Sequence, residues 1–388
     1  TTATDAYNVA VGMFAGEALT TGVQNTLIGS QAGDALTDAD RNVAVGLEAL
    51  SADTLGSNSV AIGPLALNNQ NFTTATNSYN TAVGANAGTA VTTGANNTLI
   101  GGLSGDALTT GAGNVSVGTS SLSASQTGNN GTAVGYGALA ATTTSDNTGI
   151  GYLAGQAVTT GERNTLIGAN AGDALTDADY NIALGWSALG ADTLGSRSTA
   201  LGYNALSSQN FTTATDAYNV AVGMFAGEAV TTGVENVLVG ALAGKSLTDA
   251  DYNVTLGYRA LEDMTLGSRN VAIGSFALTE ANVTTATNTF NTAVGDRAGQ
   301  NVTTGILNTL IGGAAGDAIT SAERNVAVGY NALTTNTLGN RTVAIGQAAL
   351  ADQNYTTATN TYNVAVGDSA GLSVTTGIEN TLIGGLAG

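Results

Sequence analysis

Short apolar triplets punctuate the chain. Each begins with Val, Ile or Thr, passes through a small residue or Leu, ends on Val, Ile or Leu, and leads into a glycine. Twenty-two such glycines run from Gly12 and Gly29 to Gly367 and Gly384. They lie 17 residues apart, except that every fourth step is 21 residues long and the step from Gly135 to Gly151 is 16. Alternation with period two and β-branched enrichment predict a strand at each triplet. A fixed short period along the whole chain predicts stacked coils, each burying its apolar face against its neighbours. The expected fold is all-β, a parallel β-roll or β-solenoid of about 22 coils, forming one continuous repeat domain over 1–388. At about 4.8 Å per coil this is a rod roughly 105 Å long.

Positions within a coil are numbered from its glycine. Position −4 is Asn in 18 coils, among them Asn8, Asn25, Asn42, Asn80, Asn97 and Asn114, the exceptions being Ser59, Gly131, Ser198 and Thr342. Stacking places these amides one above another, where carboxamides bond to each other along the axis. The glycine itself predicts a backbone corner with positive φ, or a close approach of two backbones. Position +3 is Ala or Ser throughout, so little room is left there. Position +4 reads Gly, Gly, Leu, Leu and repeats, so four coil types make a super-repeat. The copies span 8–79, 80–146, 147–218, 219–290 and 291–362, with a partial copy at 363–388.

Positions −3 and −1 share one face of the strand and −2 takes the other. Both faces are small and apolar, so both are expected to be buried, one inside the coil and the other against a second surface. That points to an oligomer.

Charge narrows the partners. Nine basic residues face 28 acidic ones, a net charge of −19. Nucleic acid and anionic membranes need clustered Lys and Arg, so neither is an expected partner. No apolar run has the length of a membrane span, and no signal-peptide pattern opens the sequence. There is no Cys and no His, which removes thiolate metal sites and the commonest general base. No nucleophile–base set remains, so the chain is not expected to be an enzyme and no cofactor is implied. Gly101–Gly105 superficially suggests a phosphate loop, but no Lys follows it.

Two sets of residues are candidates for binding. The second coil type carries acidic segments, Asp34, Asp38 and Asp40 in the first copy and Asp173, Asp177 and Asp179 in the third. Carboxylates at alternating turn positions are weak candidates for Ca²⁺, against the alternative that Asp starts turns and keeps the chain soluble. The fourth type carries a long loop with aromatic residues: Phe72 and Tyr79, Phe211 and Tyr218, Tyr355 and Tyr362. Such rings either stack on sugars of a glycan or pin the loop to the shaft. Asn71, Asn210, Asn282 and Asn354 each begin an Asn-x-Thr pattern, a glycosylation signal only where that machinery exists. Thr-Thr-Gly turns recur in the first coil of each super-repeat, about 19 Å apart, with one more at Thr109–Gly111, too sparsely for an ice-binding threonine lattice.

The stretches Asn42–Leu50 (NVAVGLEAL) and Asn325–Leu333 (NVAVGYNAL) resemble two related repeat families. One is the β-roll of trimeric autotransporter adhesin heads. The other, which looks closer, is the 17-residue repeat of phage and bacterial tail-fibre-domain proteins. The resemblance covers essentially the whole chain. It implies a parallel homotrimer, intertwined or side by side, at an extracellular or virion location. The function it implies is the shaft of a fibre that displays a receptor-binding tip. The alternative is a bacterial surface adhesin whose long loops hold a cell-surface receptor or glycan.

Thr1–Thr4 matches Thr212–Thr215, so the chain opens inside one coil and stops inside another. The expectation is a window of a longer polypeptide, or ends that stack on other subunits. The short fourth coil of the second super-repeat, Gly135 to Gly151, also suggests that the long loops are dispensable. They are expected to project as a row of bumps, because the coils resume in register at Gly151 after the short form.

Overall fold

The computed structural model describes residues 5–388, so the match of Thr1–Thr4 to Thr212–Thr215 lies outside the described residues. The chain divides into two compact units, Thr1–Ser187 and Ala188–Gly388. Each is a parallel β-solenoid with eleven triplet strands among its described residues. In the first unit these run from Val9–Val11 and Thr26–Ile28 to Ile182–Leu184. In the second they run from Thr199–Leu201 to Thr381–Ile383. No helix forms among the described residues, and none is long and apolar enough to cross a membrane.

Register follows the grid. Val9 pairs with Thr26, Ala10 with Leu27 and Val11 with Ile28. The 21-residue step keeps the same register, Val60 opposite Thr81, and so does the 16-residue step, Thr132 opposite Thr148. Corners, not contour length, set the stack. Three positions in every coil are left-handed: −5, as at Arg41 (φ 56); +2, as at Glu48 (φ 51); and +4, as at Leu50 (φ 56). All non-glycine residues with positive φ among the described residues fall at these three positions. A left-handed L-residue costs roughly 1–2 kcal/mol. Each corner is held by a bond to the adjacent coil, Arg41 N–H to Val23 O at 3.0 Å, Glu48 N–H to Ser30 O at 2.9 Å and Leu50 N–H to Ala66 O at 3.0 Å.

The motif glycine meets both expectations made for it. Gly223 has φ +140, and a Cβ there would lie 2.5 Å from the carbonyl oxygen of Gly240 in the next coil. Only glycine lets these backbones stack.

Inside the coils the volume is traded between positions. In the second coil type, where +4 is Gly, Leu at −2 and Leu or Ile at +7 fill the space. In the first type, with Ala or Gly at −2, the Leu of the next coil fills it, as Leu27 does against Gly16. A Cβ on Gly33 would sit 2.8 Å from the methyls of both Leu27 and Leu36. Where +4 is Leu, as at Leu50 and Leu67, position −2 shrinks to Ala44 and Ala61. All six of these side chains, Leu27, Leu36, Leu50, Leu67, Ala44 and Ala61, are fully buried. This trade fills the core with no aromatic residue at most levels.

The long loops correct an expectation. Phe72, Phe211 and Tyr355 are buried, at 6%, 5% and 7% exposure. Beneath Phe72 lies a buried polar network. Asp53 Oδ1 accepts from the backbone N–H groups of Gly56 and Phe72, both at 3.1 Å. Gln70 Nε2 donates to Asp53 Oδ2 at 2.6 Å and to Ser59 Oγ at 2.9 Å, and Asn80 Nδ2 donates to Gln70 Oε1 at 2.8 Å. Asp192, Gln209, Ser198 and Asn219 repeat the arrangement. The loop is thus part of the core and not a dispensable bump. In the 219–290 copy Met264 and Ala281, both fully buried, stand where Asp53 and Gln70 stand, and position −4 returns to Asn270. A polar network and an apolar pair are alternative fillings of one site, as expected where desolvating a polar cluster offsets its bonding.

Candidate interaction surface

No cavity opens among the described residues. The strand triplets define a surface that repeats in every coil. Position −2 points into the coil and is fully buried at Ala44, Ala61 and Leu99. Positions −3 and −1 point outward, and the chain leaves them part-exposed: Ile28 39%, Ile62 38%, Ile100 39%, Ile311 39%, Ile345 38%. The expectation that both faces are buried holds for one of them within a single chain. The outer face consists of two columns of Val, Ile, Leu and Thr, and no charged residue occurs at −3, −2 or −1 in any coil.

The Asn column borders this face and is buried almost throughout. Its bonding differs from a simple amide ladder. Asn97 Oδ1 accepts from the backbone N–H of Asn114 at 3.0 Å, and its Nδ2 donates to Gly111 O at 2.9 Å. Asn42 does the same with Ser59 N–H at 2.8 Å and Gly56 O at 2.9 Å. Direct amide-to-amide bonds are longer, 3.1 Å from Asn114 to Asn97 and 3.2 Å from Asn25 to Asn8. Most Asn side chains of the column are therefore staples between main chains, with Asn80 bound to Gly94 O at 2.7 Å in the same way, whereas Asn325 accepts from the Thr342 N–H but its Nδ2 has no partner.

Beyond the Asn column lies position −5. Six of the eight arginines stand there: Arg41, Arg163, Arg197, Arg269, Arg324 and Arg341. Tyr79, Tyr218 and Tyr362 share the column and are 57%, 51% and 52% exposed. The candidate aromatic set thus splits, with three rings on the surface and Phe72, Phe211 and Tyr355 closed to any ligand. Neighbouring residues of the column stack: the guanidinium of Arg197 lies 5.9 Å from the Tyr218 ring centre, Arg269 4.6 Å from Tyr252, and Arg341 5.8 Å from Tyr362. Arg163 also hydrogen-bonds the Tyr180 hydroxyl. The alignment of arginines was visible in the repeat grid, since −5 immediately precedes the Asn, but its exposure depends on the left-handed corner.

The acidic segments do not converge. Among the described residues no group of three carboxylates is placed to hold a metal ion. Asp38 accepts from Thr21 Oγ1 at 2.5 Å, and Asp40 accepts from the Val23 N–H at 2.8 Å. Asp177 accepts from Thr160 at 2.7 Å and Asp179 from the Glu162 N–H at 2.7 Å. These carboxylates bind the coil beside them. Asp34 and Asp173 lie apart from them at position +5, where burial raises the Asp173 carboxyl above the usual range. Burial likewise raises Asp53 and Asp192, while bonds from Gln70 or Gln209 and from backbone N–H groups pull the other way.

The chain matches no protein-family model and no curated protein sequence.

Proposed function

We propose that the chain is a structural element, the shaft of a trimeric extracellular fibre on a virion or cell surface, whose role is to hold a receptor-binding tip at a distance. The uncharged outer face of the strand columns carries this reading. An apolar stripe repeated in every coil is costly to leave wet and is suited to packing against further copies of the chain. No acidic residue occupies positions −3 to −1 in any coil, so the two columns themselves bring no carboxylate into the contact. Sedimentation and native mass spectrometry test it. The expected result is a trimer that becomes monomeric in the variant Ile62→Asp/Ile100→Asp/Ile311→Asp/Ile345→Asp, with its β circular-dichroism signal retained. A monodisperse wild-type monomer overturns the proposal.

The exposed rings Tyr79, Tyr218 and Tyr362 favour a second reading, an adhesin that holds a glycan along its length. Binding to a glycan array, lost when the three rings are replaced by Ser, is the expected outcome under it.

A further inference from the structure

We propose that the −5 edge of the unit 188–388 is a repeating site for a linear acidic polysaccharide that carries one carboxylate about every four sugars. The proposal rests on the adhesive second reading and is independent of the shaft reading.

Arginine recurs along the edge, in a column that also holds Glu235 and Glu379. Arg197, Arg269 and Arg341 occupy the same position in successive super-repeats and are four coils apart, about 19 Å at the spacing of β-strands. Each is stacked against a ring that is itself 41–52% exposed: Tyr218, Tyr252 and Tyr362. Such stacking holds the guanidinium plane in place while leaving its fork available, and a fixed fork pairs a carboxylate bidentately. The exposed part of the ring offers an apolar surface to the C–H face of a sugar. Asp216 already bonds Arg197 at 2.9 Å, whereas Arg269 bonds the neutral Asn288 at 3.2 Å. Among the described residues no carboxylate pairs with Arg269 or Arg341. Arg324, one coil before Arg341, is neutralised by Glu323.

The partner follows from spacing and charge. Arg269 and Arg341 recur with the step of the super-repeat, Arg197 at the same position being already paired with Asp216, and a partner that repeats with that step meets them in turn, which a folded protein surface does not. A sugar in a linear chain advances by about the rise of one coil, so arginines four coils apart match one acid in every four sugars. The unit holds seven basic and fifteen acidic residues, a net charge of −8. That field disfavours a densely charged polymer such as nucleic acid, or a glycan with an acid on every sugar. Three weak sites engaged by one chain multiply in strength, because the second and third contacts are intramolecular.

Calorimetry on the full chain tests this with three probes: a gellan fragment of three tetrasaccharide repeats, each with one glucuronate; oligogalacturonate of the same length; and a dextran fragment. The expected result is saturable binding of gellan, at least tenfold tighter than of oligogalacturonate, and none of dextran. Arg269→Gln should weaken gellan binding about 10- to 100-fold, since it breaks the central site. The triple variant Arg197→Gln/Arg269→Gln/Arg341→Gln should abolish it with the melting temperature unchanged. Gellan binding that survives the triple variant, or equal binding of dextran, overturns the proposal and leaves the adhesive reading standing. Absence of binding by all three probes overturns the proposal as well, and a blank glycan array beside it removes the adhesive reading.

Discussion

Asn97→Ala isolates what the Asn column contributes. Asn97 is fully buried, and its removal leaves two backbone groups without their partners, the N–H of Asn114 and the carbonyl of Gly111. A buried polar group left unpaired costs about 1–3 kcal/mol, so the pair costs about 2–6 kcal/mol. Unfolding entropy of about 2.1 cal/mol/K per residue, over the 187 residues of the first unit, gives about 0.4 kcal/mol per degree. The expected fall in melting temperature is therefore roughly 5–15 °C. Hydrogen exchange gives the residue-level check, because the Asn114 amide should lose protection while amides several coils away keep theirs. Thr110→Ala, at an exposed turn in the same coil, should shift melting by less than about 0.5 kcal/mol in equivalent stability. If Asn97→Ala melts within a degree of the parent and Asn114 stays protected, the staple mechanism is wrong.

Burial raises the Asp53 and Asp192 carboxyls in the fold, so what they contribute is fully present below the ordinary value of 3.8 and is lost as pH rises through the raised folded value. Asp53→Asn/Asp192→Asn should therefore melt higher at pH 7 and gain less stability on acidification. Asn336 already fills the equivalent place, donating to Gly339 O at 2.8 Å and accepting from its N–H at 3.0 Å. An unchanged pH profile would remove the desolvation argument. Phe72→Ala should cost about 3–5 kcal/mol, and trimming Asn68–Tyr79 to the short form should lower melting at least as much; an unaffected melt would mean the loop is not core. Gly223→Ala, with its Cβ driven to 2.5 Å from Gly240 O, should prevent stacking at that level and expose adjacent sites to protease; a wild-type proteolysis pattern would refute the close-approach requirement.

The repeating fold is legible because one backbone geometry recurs in every coil, so each triplet and glycine of the sequence is a separate statement of the same rule. The left-handed corners at Leu50 and Arg41 are not legible, since their conformation is imposed by hydrogen bonds to the adjacent coil against local preference. The same holds for Phe72. Its hydrophobicity suits an exposed loop tip or a core equally, and only the partnership of Asp53, Gln70 and Ser59, drawn from two coils, decides. Tyr79 sits seven residues further on and faces solvent because it occupies a corner. Asp38 and Asp40 look like cation ligands in sequence, but their oxygens are already committed to the coil before them.

Because each super-repeat offers the next the same hydrogen-bonding edge, the same glycine corners and the same core filling, the super-repeat is a unit of exchange. A genetic crossover between two super-repeats at equivalent positions yields a chain that still stacks, longer or shorter by four coils. A crossover out of phase moves a left-handed corner onto a strand triplet and puts Val or Ile inside where Ala belongs. Length can then drift in evolution at little thermodynamic risk while phase is under strict selection. The five super-repeats, one of them with a shortened fourth coil, are the record such a process leaves.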